Sequence, residues 1–354
     1  MKAMVLRELG GPLRLEEVPI PAPGPGEVRV RVRATGVGLT VVIMTANPGL
    51  VTSFPRIPGH EVAGDVVELG PHVQGVNAGD RVACHFYLTC GTCSFCRGGR
   101  ETLCERFGGY LGMAADGGYA EYLVVPARNL CRIPEGVSYL EAAIAADAIA
   151  TPLHACREEA RIGPGDRVLI VGAGGGVGIH AVQVAKLCGA WVIGADVTDA
   201  KLDMVRAAGA DETIDARGDE LSKQVLARTG GRGVEAAIDF VSSADTLEAC
   251  VRSLAPAGRL VIVGNRPKAV FGEDPTFRVD PGLMLRKMLE IHGSRYVTLS
   301  ELAQTLELLR QKRLRAIVTR TFSLEELETA HQLLRENAIP GRAALVLGEH
   351  PETS

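Results

Sequence analysis

The stretch Val168-Leu-Ile-Val-Gly-Ala-Gly-Gly-Gly-Val-Gly178 decides how the second half of this 354-residue chain folds. Four apolar residues make a short buried strand, the glycines make a turn, and Gly178 to Leu187 carries apolar residues at helical spacing. A strand running through small residues into a helix is the context a dinucleotide fingerprint requires. The small residues allow a tight turn, and backbone N–H groups can then approach a pyrophosphate held at the helix amino terminus. The best register is Ala173, Gly175, Gly178, with extra glycines at Gly172, Gly174 and Gly176; the candidate cofactor contacts are Gly172, Ala173, Gly175, Gly176, Val177 and Gly178.

Outward from this turn, Arg167 to Val171, Trp191 to Ala195, Val234 to Asp239 and Arg259 to Val263 read as short buried strands. Helical patterns lie between them at Gly178 to Leu187, Ala200 to Ala208 and Asp245 to Leu254, with Asp199 and Asp245 placed as caps. Alternating strands and helices predict a doubly wound α/β domain around a parallel sheet. Asp196 ends the second strand, where a carboxylate can accept hydrogen bonds from ribose hydroxyls. A 2′-phosphate would be repelled there, which favours NAD over NADP, although Lys201 tolerates either.

Before Asp147 the texture is different. Val28, Val30 and Val32 alternate with Arg29, Arg31 and Arg33, and short strands are broken by Gly and Pro, so this half is mainly β. The expected domains are 1–150, 151–293 and a segment 294–354 that returns to the first domain. That segment carries helices over Leu299 to Leu309 and Leu324 to Leu334 and a strand over Ala343 to Leu347.

The run CGTCSFCRGGRETLC puts Cys90, Cys93, Cys96 and Cys104 in one short loop. Four thiolates close a tetrahedral shell, which leaves no position for substrate and therefore reads as a structural zinc site. Cys131, Cys156, Cys188 and Cys250 are isolated and read as small buried hydrophobes. Hydrophobic residues are 46% of the chain and charged residues 23%, with a formal charge of -4 and no basic run, which argues against a nucleic-acid partner. Met1 to Gly10 holds Lys2, Arg7 and Glu8 and no apolar run of signal-peptide length, so a cytoplasmic location with no membrane partner is expected.

With Gly59-His60-Glu61, the four-cysteine loop and the glycine turn with Asp196 together, the chain resembles the medium-chain, zinc-containing alcohol dehydrogenase superfamily over its whole length. The resemblance implies a GroES-like β domain joined to a Rossmann domain. It also implies cofactor contacts at Lys201, Gly264 and Arg342, the last near the pyrophosphate, and a homodimer or homotetramer. For a catalytic zinc it implies His60 and Asp147 as ligands, and it puts the usual cysteine ligand at Gly38 in Gly36-Val37-Gly38-Leu39-Thr40. Glu61 or Cys84 are the candidates to complete that shell. Thr40 takes the role of the hydroxyl on the substrate oxygen, Ile43 replaces the relay histidine, and Phe86 and Tyr87 are expected near the pocket or in core packing.

Three functions follow as expectations. The first is an NAD-dependent alcohol dehydrogenase acting on a small molecule, with Thr40, His60, Glu61 and Asp147 as the catalytic set. The second is a zinc-independent reductase of enones or quinones. The third is a nucleotide-binding protein without catalysis.

Overall fold

Residues 1–217, 220–274 and 276–348 are described in a computed structural model, whose chain divides into two units, Met1–Asp147 with Thr298–Ser354, and Ala148–Val297. In the first unit β1 (Lys2–Leu6) pairs with β2 (Leu13–Glu17). The alternating valines build β3 (Glu27–Val37), which buries Val28, Val30 and Val32 completely or nearly so. Beside it run β4 (Val62–Leu69), β5 (Arg81–Cys84), β6 (Tyr122–Pro126) and β7 (Leu130–Arg132).

The second unit holds β8 (Arg167–Val171), β9 (Trp191–Asp196), β10 (Glu212–Asp215), β11 (Val234–Asp239), β12 (Leu254–Ile262) and β13 (Glu290–Gly293). They form one parallel sheet in the order β10-β9-β8-β11-β12-β13, the doubly wound arrangement of a dinucleotide-binding fold. Leu169, Ile193, Ala237 and Leu260 bury one face of its strands, as their continuous apolar runs require. The caps differ from expectation. Thr198 and Ser243, not Asp199 and Asp245, accept the first-turn N–H groups, from Lys201 and Thr246 respectively. Each stands in extended backbone one residue before the helix, where its hydroxyl can reach back, and the two aspartates fall inside the first turn.

The chain then returns to the first unit with β14 (Val318–Phe322) and β15 (Arg342–Val346). The sheet order is β14-β15-β3-β4-β5-β7, with β6 also on β3. β15 runs antiparallel to β3, with Ala343 opposite Val37 and Leu345 opposite Thr35. β14 has no apolar alternation, and its pairing with β15 is what makes it a strand. Leu327 and Ala330 of the helix Leu327–Arg335 pack in the same core as Val37, Val41 and Tyr119.

One buried histidine ties this core to pH. His331 sits in that helix, 1% exposed, 3.4 Å from the Tyr119 hydroxyl. Burial lowers its pKa to about 4, with Glu328 raising it and Arg335 lowering it. The unfolded chain therefore binds the proton more readily between that value and about 6.5. Stability is complete above about pH 6.5 and declines as pH falls toward about 4, by on the order of 3 kcal/mol from this group. Denaturant midpoints measured from pH 7 to pH 4 should show this loss, and His331→Leu should flatten it; an unchanged slope in the variant would contradict the assignment.

Candidate functional site

In the second unit the glycine turn has the expected construction. Gly172 adopts φ +75°, and its N–H and that of Ala173 both donate to the Ala195 carbonyl at 2.9 and 3.0 Å. A Cβ on Gly178 would stand 2.9 Å from the Gly172 carbonyl carbon and 3.0 Å from Ala173 Cα, so only glycine lets the helix start against the turn. The helix Gly178–Leu187 follows Val177, and Gly175 donates to the Gly172 carbonyl at 3.1 Å. First-turn N–H groups have no partner within a helix, which makes this end an anion cradle.

Asp196 is 6% exposed at the end of β9. Its two oxygens accept from the Gly174 and Val197 N–H groups, both at 2.8 Å, so the carboxylate is fixed beside the turn. Lys201 Nζ lies 4.0 Å from it, and burial lowers the lysine's pKa while Asp196 opposes the shift. Gly264 N–H donates to the Asp239 carbonyl at 3.0 Å, and a Cβ there would meet the Phe240 carbonyl carbon at 2.6 Å.

In the first unit the cysteine loop closes on itself. Cys90 and Cys96 Sγ are 3.9 Å apart, Cys93 and Cys96 3.4 Å, and Cys93 and Cys104 4.0 Å. Disulfide sulfurs stand about 2.05 Å apart, whereas four thiolates about 2.3 Å from one tetrahedral zinc are about 3.8 Å from each other. The spacing is that of a metal shell. The N–H of Thr92, its hydroxyl and the N–H of Cys93 hold the Cys90 thiol down at about 5, while Cys96 is pushed up to about 12 by burial and its thiol neighbours. These four side chains could together hold one metal ion.

The third cluster lies where β3, β4 and β15 meet. His60 Nε2 is 3.1 Å from Asp147 Oδ2, and both side chains are 3% exposed. Asp147 stands in a π turn, Ala145–Ile149, a local widening that often marks functional positions. Glu61 joins them, and one donor atom from each of the three lies within 4.8 Å of the others. Cys84, the other candidate third donor, is buried with its thiol pushed up to about 12 by burial and is not in this group. Phe86 packs on the His60 ring at 4.8 Å between centroids, and Tyr87 is fully buried among His85, Phe107 and Tyr110. Thr40 is half-buried in the first turn of the helix Leu39–Ala46, which Gly38 precedes.

Arg342 stands beside this cluster. Its guanidinium, expected at a pyrophosphate, is 3% exposed and paired with the Glu61 carboxylate, with Nε at 3.2 Å from Oε2 and Nη2 also donating to it. Burial pushes the Glu61 carboxyl up, and the guanidinium opposes that shift without cancelling it. Tyr119 contributes to the same field and is itself pushed up by burial. Sequence reading missed this ion pair and the part played by Gly36. Its only trace in the sequence is a pair of small residues, Gly36 near the end of β3 and Gly38 just beyond it.

Comparison with known proteins agrees with this layout. Residues 24–135 match the alcohol dehydrogenase GroES-like domain, and residues 176–311 match the zinc-binding dehydrogenase domain. An NAD-dependent alcohol dehydrogenase of Sulfurisphaera tokodaii is 34% identical over 98% of this chain and 100% of its own length. The chain belongs to the zinc-binding alcohol dehydrogenase family. This dehydrogenase is thus an oxidoreductase with a GroES-like unit and a Rossmann unit. It is also similar to the crystal structure of AibC, at 39% identity and a TM-score of 0.89 over 99% of this chain and 96% of that one. An acryloyl-coenzyme A reductase of Metallosphaera sedula is 30% identical over 82% of this chain and 83% of its own length. Among the described residues, no helix is long and apolar enough to cross a membrane.

Proposed function

We propose that this dehydrogenase transfers a hydride between NAD and a small alcohol or carbonyl compound, with zinc in the four-cysteine loop as a structural ion. The observation that carries this reading is the buried 3.1 Å contact between His60 and Asp147 in an alcohol dehydrogenase framework. Bound NAD would accept the hydride of the alcohol carbon in the oxidation direction, and Thr40 with the His60 and Asp147 pair would be the chain's own groups that take the hydroxyl proton. Reduction is the reverse. The fixed Asp196 carboxylate favours NAD, since a 2′-phosphate there would face a charge already locked between two N–H groups.

The donors round His60 do not fit a three-ligand zinc, because Glu61 is spent on Arg342 and Gly38 offers no side chain. The proton steps therefore rest on the protein's own groups. This same departure favours a second reading, reduction of a carbon–carbon double bond conjugated to a carbonyl, in which hydride adds to the β-carbon and a proton to the α-carbon. A carbonyl held by hydrogen-bond donors needs less Lewis-acid assistance than an alcohol that must ionise, and one relative carries the name acryloyl-coenzyme A reductase.

A panel of small alcohols with NAD, set against enones, quinones and acryloyl thioesters with NADH, separates the two through reduced-nicotinamide absorbance. The first reading expects alcohol turnover above enone turnover. Enone turnover alone would replace it with the second, and cofactor binding without turnover of any of these would reduce the chain to a nucleotide-binding protein.

A further inference from the structure

The strand registers explain why a guanidinium can stand beside His60. Val62 of β4 lies opposite Thr35 of β3, so the next pair in that antiparallel register is Glu61 with Gly36. Ala343 of β15 lies opposite Val37 on the other side, so the next pair there is Arg342 with Gly38. Glu61 and Arg342 therefore flank β3 from its two neighbours, and their side chains meet over the two glycines. The space is tight. A Cβ on Gly36 would stand 2.6 Å from the Glu61 carboxyl carbon, and a Cβ on Gly38 would stand 2.6 Å from both Cζ and Nη2 of Arg342. Any side chain at position 38 would have to displace the guanidinium.

From this we infer that Gly38 and Arg342 are a matched pair that closes the second metal site of this dehydrogenase, the guanidinium filling the volume of the family's cysteine ligand, so that the chain carries zinc only in its cysteine loop. The charges agree with the packing. Arg342 is cationic at every accessible pH and spends the Glu61 carboxylate, which leaves an incoming dication one anionic donor, Asp147, and one neutral one, His60. A dication would also have to sit beside a buried guanidinium at low dielectric, where like charges repel strongly. The inference goes beyond the proposed reaction and does not depend on which substrate is turned over.

The test counts metal, not turnover. The full chain is incubated with excess zinc, freed of loose metal on a desalting column, and assayed by plasma mass spectrometry. Wild type is expected to retain one zinc per chain. Gly38→Cys alone should still retain one, because a guanidinium pushed aside by the new side chain remains bonded to Glu61 and keeps its positive charge beside Asp147. Gly38→Cys with Arg342→Ala should retain two, since His60, Asp147 and the new thiolate are then free of the guanidinium. Cobalt loading gives a second readout, with visible ligand-field bands of a mixed nitrogen, oxygen and sulfur site expected in the double variant only. Two zinc ions in the wild type would overturn the proposal, and this arm needs no variant to fold. A second ion gained by Gly38→Cys alone, or a double variant folded by circular dichroism that stays at one, would overturn it as well. None of these counts bears on the substrate panel, so failure here leaves the proposed reaction to stand or fall separately.

Discussion

Replacing Cys93 with serine is expected to empty the loop Cys90 to Cys104 of its metal and to take several kcal/mol of stability with it. Cys93 Sγ is the hub of the cluster, 3.4 Å from Cys96 and 4.0 Å from Cys104. The loop around it carries a one-turn helix, Ser94–Arg97, with no buried residue, and a three-residue turn, Glu101–Leu103, in which Thr102 is buried. Structural zinc binds small peptides with about 10–16 kcal/mol, and where the unfolded chain has no formed site most of that is folding free energy. A serine hydroxyl does not ionise near neutral pH, so the shell loses a charge as well as a ligand. Zinc content should fall from about one per chain to near zero, and limited proteolysis should cut within 90–104 under conditions that leave the wild type whole. Variant protein that keeps its zinc would show that the cluster is held by something other than four thiolates.

The second large effect is expected in turnover. His60→Ala removes the imidazole bonded to Asp147, and general acid–base groups in enzymes contribute about 10²–10⁴-fold to rate. We expect kcat to fall by that factor while the Kd for NAD, read by calorimetry, stays within about twofold, because the glycine turn and Asp196 belong to the other folding unit. His60→Asn keeps a polar group near Asp147 but cannot take up a proton near neutral pH, so it should be as inactive as alanine. Full activity in the asparagine variant would reduce His60 to a positioning residue and remove the proton path from the mechanism.

Much of the fold was legible because its signals are local. Arg167–Val171 and Val234–Asp239 are strands over the very residues expected, since a strand buried on both faces reads as an uninterrupted apolar run. The helix Gly178–Leu187 likewise falls where its periodicity and the preceding glycines place it. The caps were missed because Asp199 and Asp245 satisfy the same composition rule as Thr198 and Ser243, and only backbone geometry says which side chain reaches the first-turn N–H groups. β14 was invisible for the opposite reason, its Thr-Arg-Thr centre carrying no hydrophobic pattern while its neighbour supplies the pairing.

The candidate sites divide along the same line. The glycine turn and the four-cysteine loop each lie within fifteen consecutive residues, so their spacing alone determined which atoms could converge. The cluster round His60 draws on β3, β4, the turn before Ala148 and β15, and Glu61 and Arg342 stand 281 residues apart. No periodicity links such positions. Their meeting was decided by strand register, which only the assembled sheet sets, and by the two missing side chains at Gly36 and Gly38 that leave a charged pair room to cross a buried strand.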